Sequence, residues 1–100
     1  MSKLDKIKCN FQNVINNHVM FDFPNFLRAL RESLCLTRQE VMKDMPFHYL
    51  KLYHFEIGNF KQMPRDIYID MLANYYGITP KMLRDKALEY VKTKRNSKDG

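Results

Sequence analysis

Apolar side chains recur at helical spacing along almost the whole chain. Leu4, Ile7, Phe11, Val14 and Ile15 fall on one face, with Lys3, Lys6, Lys8 and Asn10 between them. That pattern predicts an amphipathic helix over residues 3–15, stopping at Asn16-Asn17. Residues 18–23 read as a linker whose four apolar side chains need cover. Asp22-Phe23-Pro24 marks a new start, because Pro suits a first helical turn and disfavours helix in the residue before it. The helix that follows, over 24–33, has Phe26, Leu27, Leu30 and Leu34 as its stripe.

Thr37 then reads as an N-cap, and Glu40 stands three residues later, as a capping box requires. The next helix spans 38–45, with Val41, Met42 and Met45 inward, and Pro46 stops it. Another spans 48–57, with Leu52 and Phe55 inward and Gly58 as the residue that ends it in the left-handed conformation. A loop over 59–63 leads to Pro64. The fourth helix of this set carries Ile67, Met71, Leu72 and Tyr75 on its inner face and ends at Gly77. Thr79-Pro80 caps a last helix, with Met82, Leu83, Leu88 and Val91 continuing it to about residue 93. The turn between the helices over 38–45 and 48–57 is so short that the pair reads as a helix-turn-helix, which presents one helix outward.

The fold class is therefore all-α, a bundle of about five helices with an extra amphipathic helix at the N-terminus. The organisation reads as an N-terminal helix and linker (1–23), a helical domain (24–93) and a disordered basic tail (94–100). Three Gly and four Pro leave little room for a turn-rich β fold. One hundred residues suit one domain.

Charge adds little at first sight. The net +6 is half accounted for by the end of the chain, where Lys92, Lys94, Arg95 and Lys98 face only Asp99. The helical part is mildly basic, which permits a polyanionic partner without demanding one. Cys9 and Cys35 match no metal or redox spacing. His18, His48 and His54 have no ligand spacing with Cys or carboxylate, so no metal site is expected. No Gly-rich phosphate loop and no nucleophile with a base is recognisable, so an enzyme, a cofactor and a small-molecule substrate are not expected. No apolar run reaches membrane-spanning length, and a cytoplasmic protein is the expectation.

Leu30-Arg31, Leu36-Thr37, Glu40-Val41, Phe55-Glu56-Ile57-Gly58, Leu72-Ala73 and Tyr76-Gly77-Ile78-Thr79 together resemble the lambda-repressor-like family. These are the Cro/CI or XRE type of helix-turn-helix regulators. The likeness covers residues 26–83 and runs without a gap through 26–58. It implies a DNA-binding domain whose reading helix starts near His48. By resemblance, His48, Tyr49, Leu50, Lys51, Tyr53 and His54 face the bases. Thr37 and Arg38, at a helix N-terminus, and Asn59, Lys61, Gln62 and Arg65, in the following loop, face phosphates. Arg31 and Glu56 are a structural ion pair in such proteins. Cys35, Met42, Pro46 and His48 stand where relatives commonly have Gly, Ala, Gly and Ser or Thr.

The reading set lacks the Arg, Asn and Gln that recognise base edges by paired hydrogen bonds. Leu50 suits a thymine methyl, and Tyr, His and Lys51 supply single bonds. Double-stranded DNA is the expected partner, read by a homodimeric repressor or autoregulator of a phage, mobile-element or toxin–antitoxin kind. The alternative is a protein-interaction adaptor that uses the aromatic face of the same helix, since Tyr is enriched at interfaces. The stripe Leu4, Ile7, Phe11, Val14, Ile15 serves either as a dimer face or as a fold-back that extends the core.

Overall fold

The structure is a computed structural model that describes residues 11–45 and 49–98, with the side chains of 11–45 and 50–94. Leu4, Ile7, Cys9, Pro46 and His48 and the side chain of Tyr49 lie outside the described residues. Among the described residues the regular structure is entirely helical, with no strand. The helices are α1 (Phe11–Asn16), α2 (Phe23–Ser33), α3 (Arg38–Lys43), α4 (Tyr49–Ile57), α5 (Asp66–Tyr76) and α6 (Pro80–Lys98). A single 3-10 turn, His18–Met20, stands between α1 and α2. The chain divides into two compact units, Met1–Gly58 and Asn59–Gly100, and that division falls inside the stretch 24–93 that the sequence presents as one domain.

In the first unit, α1 packs on α2, and α4 packs on both α2 and α3. Asp22 caps α2 by accepting from the Asn25 amide at 3.1 Å, and Pro24 follows in the first turn. Phe23, Phe26, Leu27, Ala29 and Leu30 are buried along α2. Phe23 meets Phe55 of α4 edge to face, with ring centroids 6.1 Å apart, the arrangement that aromatic quadrupoles favour. Leu34 departs from its expected place in that stripe. It is the C-cap, and exposed, because the helix has already closed. Closure uses two backbone bonds, Cys35 N–H to the Glu32 carbonyl (3.0 Å) and Leu36 N–H to the Arg31 carbonyl (3.1 Å). This Schellman ending needs a left-handed residue after the cap, and Cys35 supplies it at φ 58°.

Thr37 and Glu40 form the expected capping box. Thr37 Oγ1 accepts from the Glu40 amide at 3.1 Å, and the Thr37 amide donates to Glu40 Oε1 at 2.9 Å. The helix it opens ends at Lys43, two residues short of the expected 45. Val41 and Met45 are buried and Met42 is half-buried, so the longer side chain at that position is absorbed without being sealed inside. Leu52 and Phe55 are buried on α4 as expected, and Gly58 takes φ 77°. Of the four apolar residues in the linker, Phe21 and Phe23 are covered, whereas Val19 and Met20 are exposed on the 3-10 turn.

The second unit is a pair of packed helices, α5 and α6. Gly77 ends α5 in the left-handed region at φ 76°, where the Ile78 amide reaches the Ala73 carbonyl at 2.9 Å. Thr79 Oγ1 accepts from the Met82 amide at 3.3 Å and Pro80 opens α6. The face of α5 that is buried shares only Leu72 with the expected one. Ile69, Leu72, Ala73 and Tyr76 are inside, whereas Ile67 is exposed and Met71 and Tyr75 are half-buried. On α6 the buried row is Leu83, Ala87 and Val91, and Leu88 is exposed. That helix runs on to Lys98, through most of the stretch expected to be a disordered tail. Straight-chain Lys and Arg favour helix, so charge density there does not end it.

Candidate nucleic-acid interface

The first unit brings together one group of the expected site residues, and it does so through a buried ion pair. Arg31 on α2 donates Nε to Glu56 Oε2 at 2.8 Å and Nη2 to Glu56 Oε1 at 3.0 Å. Its third bond, Nη1 to the Leu36 carbonyl at 2.8 Å, holds the turn that leads into α3. The Glu56 side chain is fully buried. A forked guanidinium on a carboxylate fixes orientation as well as distance. The pair therefore sets the rotation of α4 about its own axis, and with it which residues point away from α2.

Those residues are Leu50, Tyr53, His54 and Ile57, spaced three, four and seven along the helix and so on one face. Leu50 and Ile57 are 48 % and 50 % exposed, and Lys51, Tyr53 and His54 are half-buried. Tyr53 and His54 lie with ring centroids 5.7 Å apart. From α3, the Arg38 guanidinium lies over the Tyr53 ring, 4.9 Å from its centroid. This cation–π contact joins a residue expected to meet phosphate to one expected to meet bases. Tyr53 thus holds Arg38, a contact that its spacing alone did not reveal. The only local hint was two residues of matching chemistry on adjacent helices.

Thr37, expected at the phosphate, accepts from the Glu40 amide through its hydroxyl oxygen. Glu40 carries its charge at the same helix end. The bonds from Thr37, first to its backbone and then to its side chain, hold the Glu40 carboxyl below its ordinary pKa. The cation available at this end is therefore Arg38, beside a carboxylate already committed to the cap.

In the second unit, Asn59, Lys61, Gln62 and Arg65 are all exposed in the segment that leads into α5. Arg65 is the N-cap of α5 through its backbone alone, so its side chain is not spent on capping. Asp66, next to it, is drawn to Arg84 at 3.4 Å, and Asp70 to the same guanidinium at 3.3 Å. Sequence reading missed Phe60, Tyr90 and Lys94. The Phe60 and Tyr90 rings stand 5.3 Å apart, and Lys94 Nζ donates to the Phe60 carbonyl at 3.1 Å. The available signal was a lone aromatic residue in the loop over 59–63, with Tyr90 and Lys94 one turn apart on α6.

Among the described residues no group of three or more His, Cys, Asp or Glu could hold a metal ion. Cys35 is a free, exposed thiol. No described helix is long and apolar enough to cross a membrane. The Leu4/Ile7/Phe11/Val14/Ile15 stripe is described only from Phe11 onward, where Val14 is fully buried within the chain and Phe11 and Ile15 are half-buried. Val14 is therefore part of the chain's own core. No protein-family model, curated protein or solved structure matches the chain.

Proposed function

We propose that this chain is a sequence-specific DNA-binding regulator of the lambda-repressor-like type, with α3 and α4 as its helix-turn-helix and α4 as the reading helix. The observation that carries this reading is the outward stripe of α4, Leu50–Tyr53–His54–Ile57, bordered by Arg38 and Lys51 and backed by a buried ion pair that fixes its direction. A row of side chains held in one direction suits a rigid partner.

In this reading Leu50 meets a thymine methyl, His54 and Lys51 each supply one hydrogen bond to a base edge, and Arg38 meets a phosphate from its seat on Tyr53. Asn59, Lys61, Gln62 and Arg65 add further backbone contacts. Tyr49 and His48, which by resemblance also face the bases, lie outside the described side chains. With few paired hydrogen bonds available, part of the selectivity comes from the shape of the site. One such unit covers little DNA, so a homodimer on a palindromic site fits best, repressing by promoter occlusion in an operon of phage, mobile-element or toxin–antitoxin kind.

The test is selection from a random duplex pool, followed by a salt titration of the selected site. The expected result is one enriched motif and an affinity that falls steeply with salt. Arg38→Gln is expected to lessen the slope of log affinity against log salt by about one. An absence of duplex binding even at low salt removes the proposal. It would then favour the second reading, a protein-binding adaptor, for which the exposed apolar ends of the stripe, Leu50 and Ile57, are the supporting observation.

A further inference from the structure

The segment between Gly58 and α5 has no regular structure of its own apart from bends, yet it carries Lys61, Gln62 and Arg65. It is fastened at two points. Pro64 is buried. Phe60 is engaged from α6: Lys94 Nζ donates to its carbonyl at 3.1 Å and lies 5.9 Å from its ring centroid and 5.7 Å from that of Tyr90. The two rings lie 5.3 Å apart at 39°. One ammonium thus caps a backbone acceptor and rests against two aromatic faces together, and the residue that supplies it is 34 positions away in the chain. Only Lys61, Gln62 and Met63 lie between the fastened points.

We infer that Lys94, Phe60 and Tyr90 are positioning residues, a clamp through which the extended end of α6 holds the Lys61–Gln62 segment in one conformation for contact with the DNA backbone. This rests on the DNA-binding reading proposed above. Lys94 is half-buried and its ammonium is turned inward to Phe60, so its part in binding is to hold Lys61 in place and not to meet the polyanion itself. A loop cation immobilised before binding loses less conformational freedom on contact, and affinity gains accordingly. The extension of α6 beyond residue 93 has a reason on this account, since Lys94 reaches Phe60 only while that part of the chain is helical.

The clamp and its use are tested separately on the full chain. Trypsin cuts after Lys61, and the rate at that bond, followed by mass spectrometry, reports whether the segment is held. Tyr90→Leu and Lys94→Met are expected to raise that rate several-fold, and Lys94→Arg to restore protection, with helix content by circular dichroism unchanged. If both variants are cut at Lys61 no faster than the wild type, the clamp is refuted whatever the protein binds. Affinity for the selected duplex is measured on the same proteins. Tyr90→Leu leaves net charge untouched, so weaker binding with a salt slope reduced by about one identifies lost positioning of Lys61. A loosened clamp with affinity and slope unchanged overturns the positioning role while DNA binding stands. A wild type that binds no duplex overturns both. Weakened binding in Lys94→Met with full binding in Tyr90→Leu would make Lys94 a direct phosphate contact and also overturn the inference.

Discussion

Three residues of the first unit carry consequences larger than their size. Glu56 gives both carboxylate oxygens to Arg31 and is wholly buried. Removal of one partner leaves the other charged in a poor solvent for charge, which costs more than the pair contributes. Glu56→Ala is expected to lower unfolding free energy by about 3 kcal/mol, read by urea denaturation, with Arg31→Ala comparable. Cys35 sits at φ 58°, where an L side chain crowds its own carbonyl. Cys35→Gly removes that crowding and gives back part of the gain in chain entropy. A net stabilisation of about 1 kcal/mol is expected, with Cys35→Ala near zero as the control. Glu40 supplies a pH dependence. Its carboxyl lies below its ordinary pKa through the bonds from Thr37, so the folded state favours the ionised form. The contribution is present above the unfolded-state pKa and fades as pH falls through the lower folded value. Wild type and Glu40→Gln are therefore expected to differ in melting temperature at neutral pH and to converge in acid. A gap that persists in acid would assign the effect to something other than the carboxylate.

At the scale of the element, what was legible in the sequence is what local chemistry decides. Thr37 with Glu40, Asp22 before Phe23-Pro24, Gly58, Gly77 and Thr79-Pro80 each mark an end within a few residues of themselves. All of these ends are found. The side a helix buries was less legible. The α5 sequence offers two rows at helical spacing, Ile67–Met71–Leu72–Tyr75 and Ile69–Leu72–Ala73–Tyr76, which share Leu72. Periodicity accepts both, and only the partner helix chooses the second. The far end of α6 was missed because its last turns bear no apolar row, although their residues favour helix. The outward residues of α4 were legible as a group, yet the Arg38–Tyr53 contact and the Lys94 clamp were not. Neither follows from spacing along one element; both depend on the packing of two.

For the molecule as a whole, the question raised by the N-terminal stripe is whether it joins two chains or completes one. Within the described part, Val14 answers for itself by being sealed in its own chain. Val14→Ala is expected to cost about 2 kcal/mol, two buried methyl equivalents and a small cavity, with no change in mass by light scattering. A loss that grew on dilution would instead assign Val14 to a contact between subunits. The buried ion pair has a further consequence, and it is kinetic. Its three bonds draw on α2, the Leu36 carbonyl and α4, residues up to 25 apart. A slip of one residue in α4 turns Glu56 by about 100° and strands both charges, so near-miss packings gain nothing from partial pairing. Such a contact forms only once its helices are in register. The stability lost in Glu56→Ala is then expected to emerge as faster unfolding, with the refolding rate almost unchanged. On this expectation the pair is a late latch on the native state, setting how long the outward face of α4 persists once it is made.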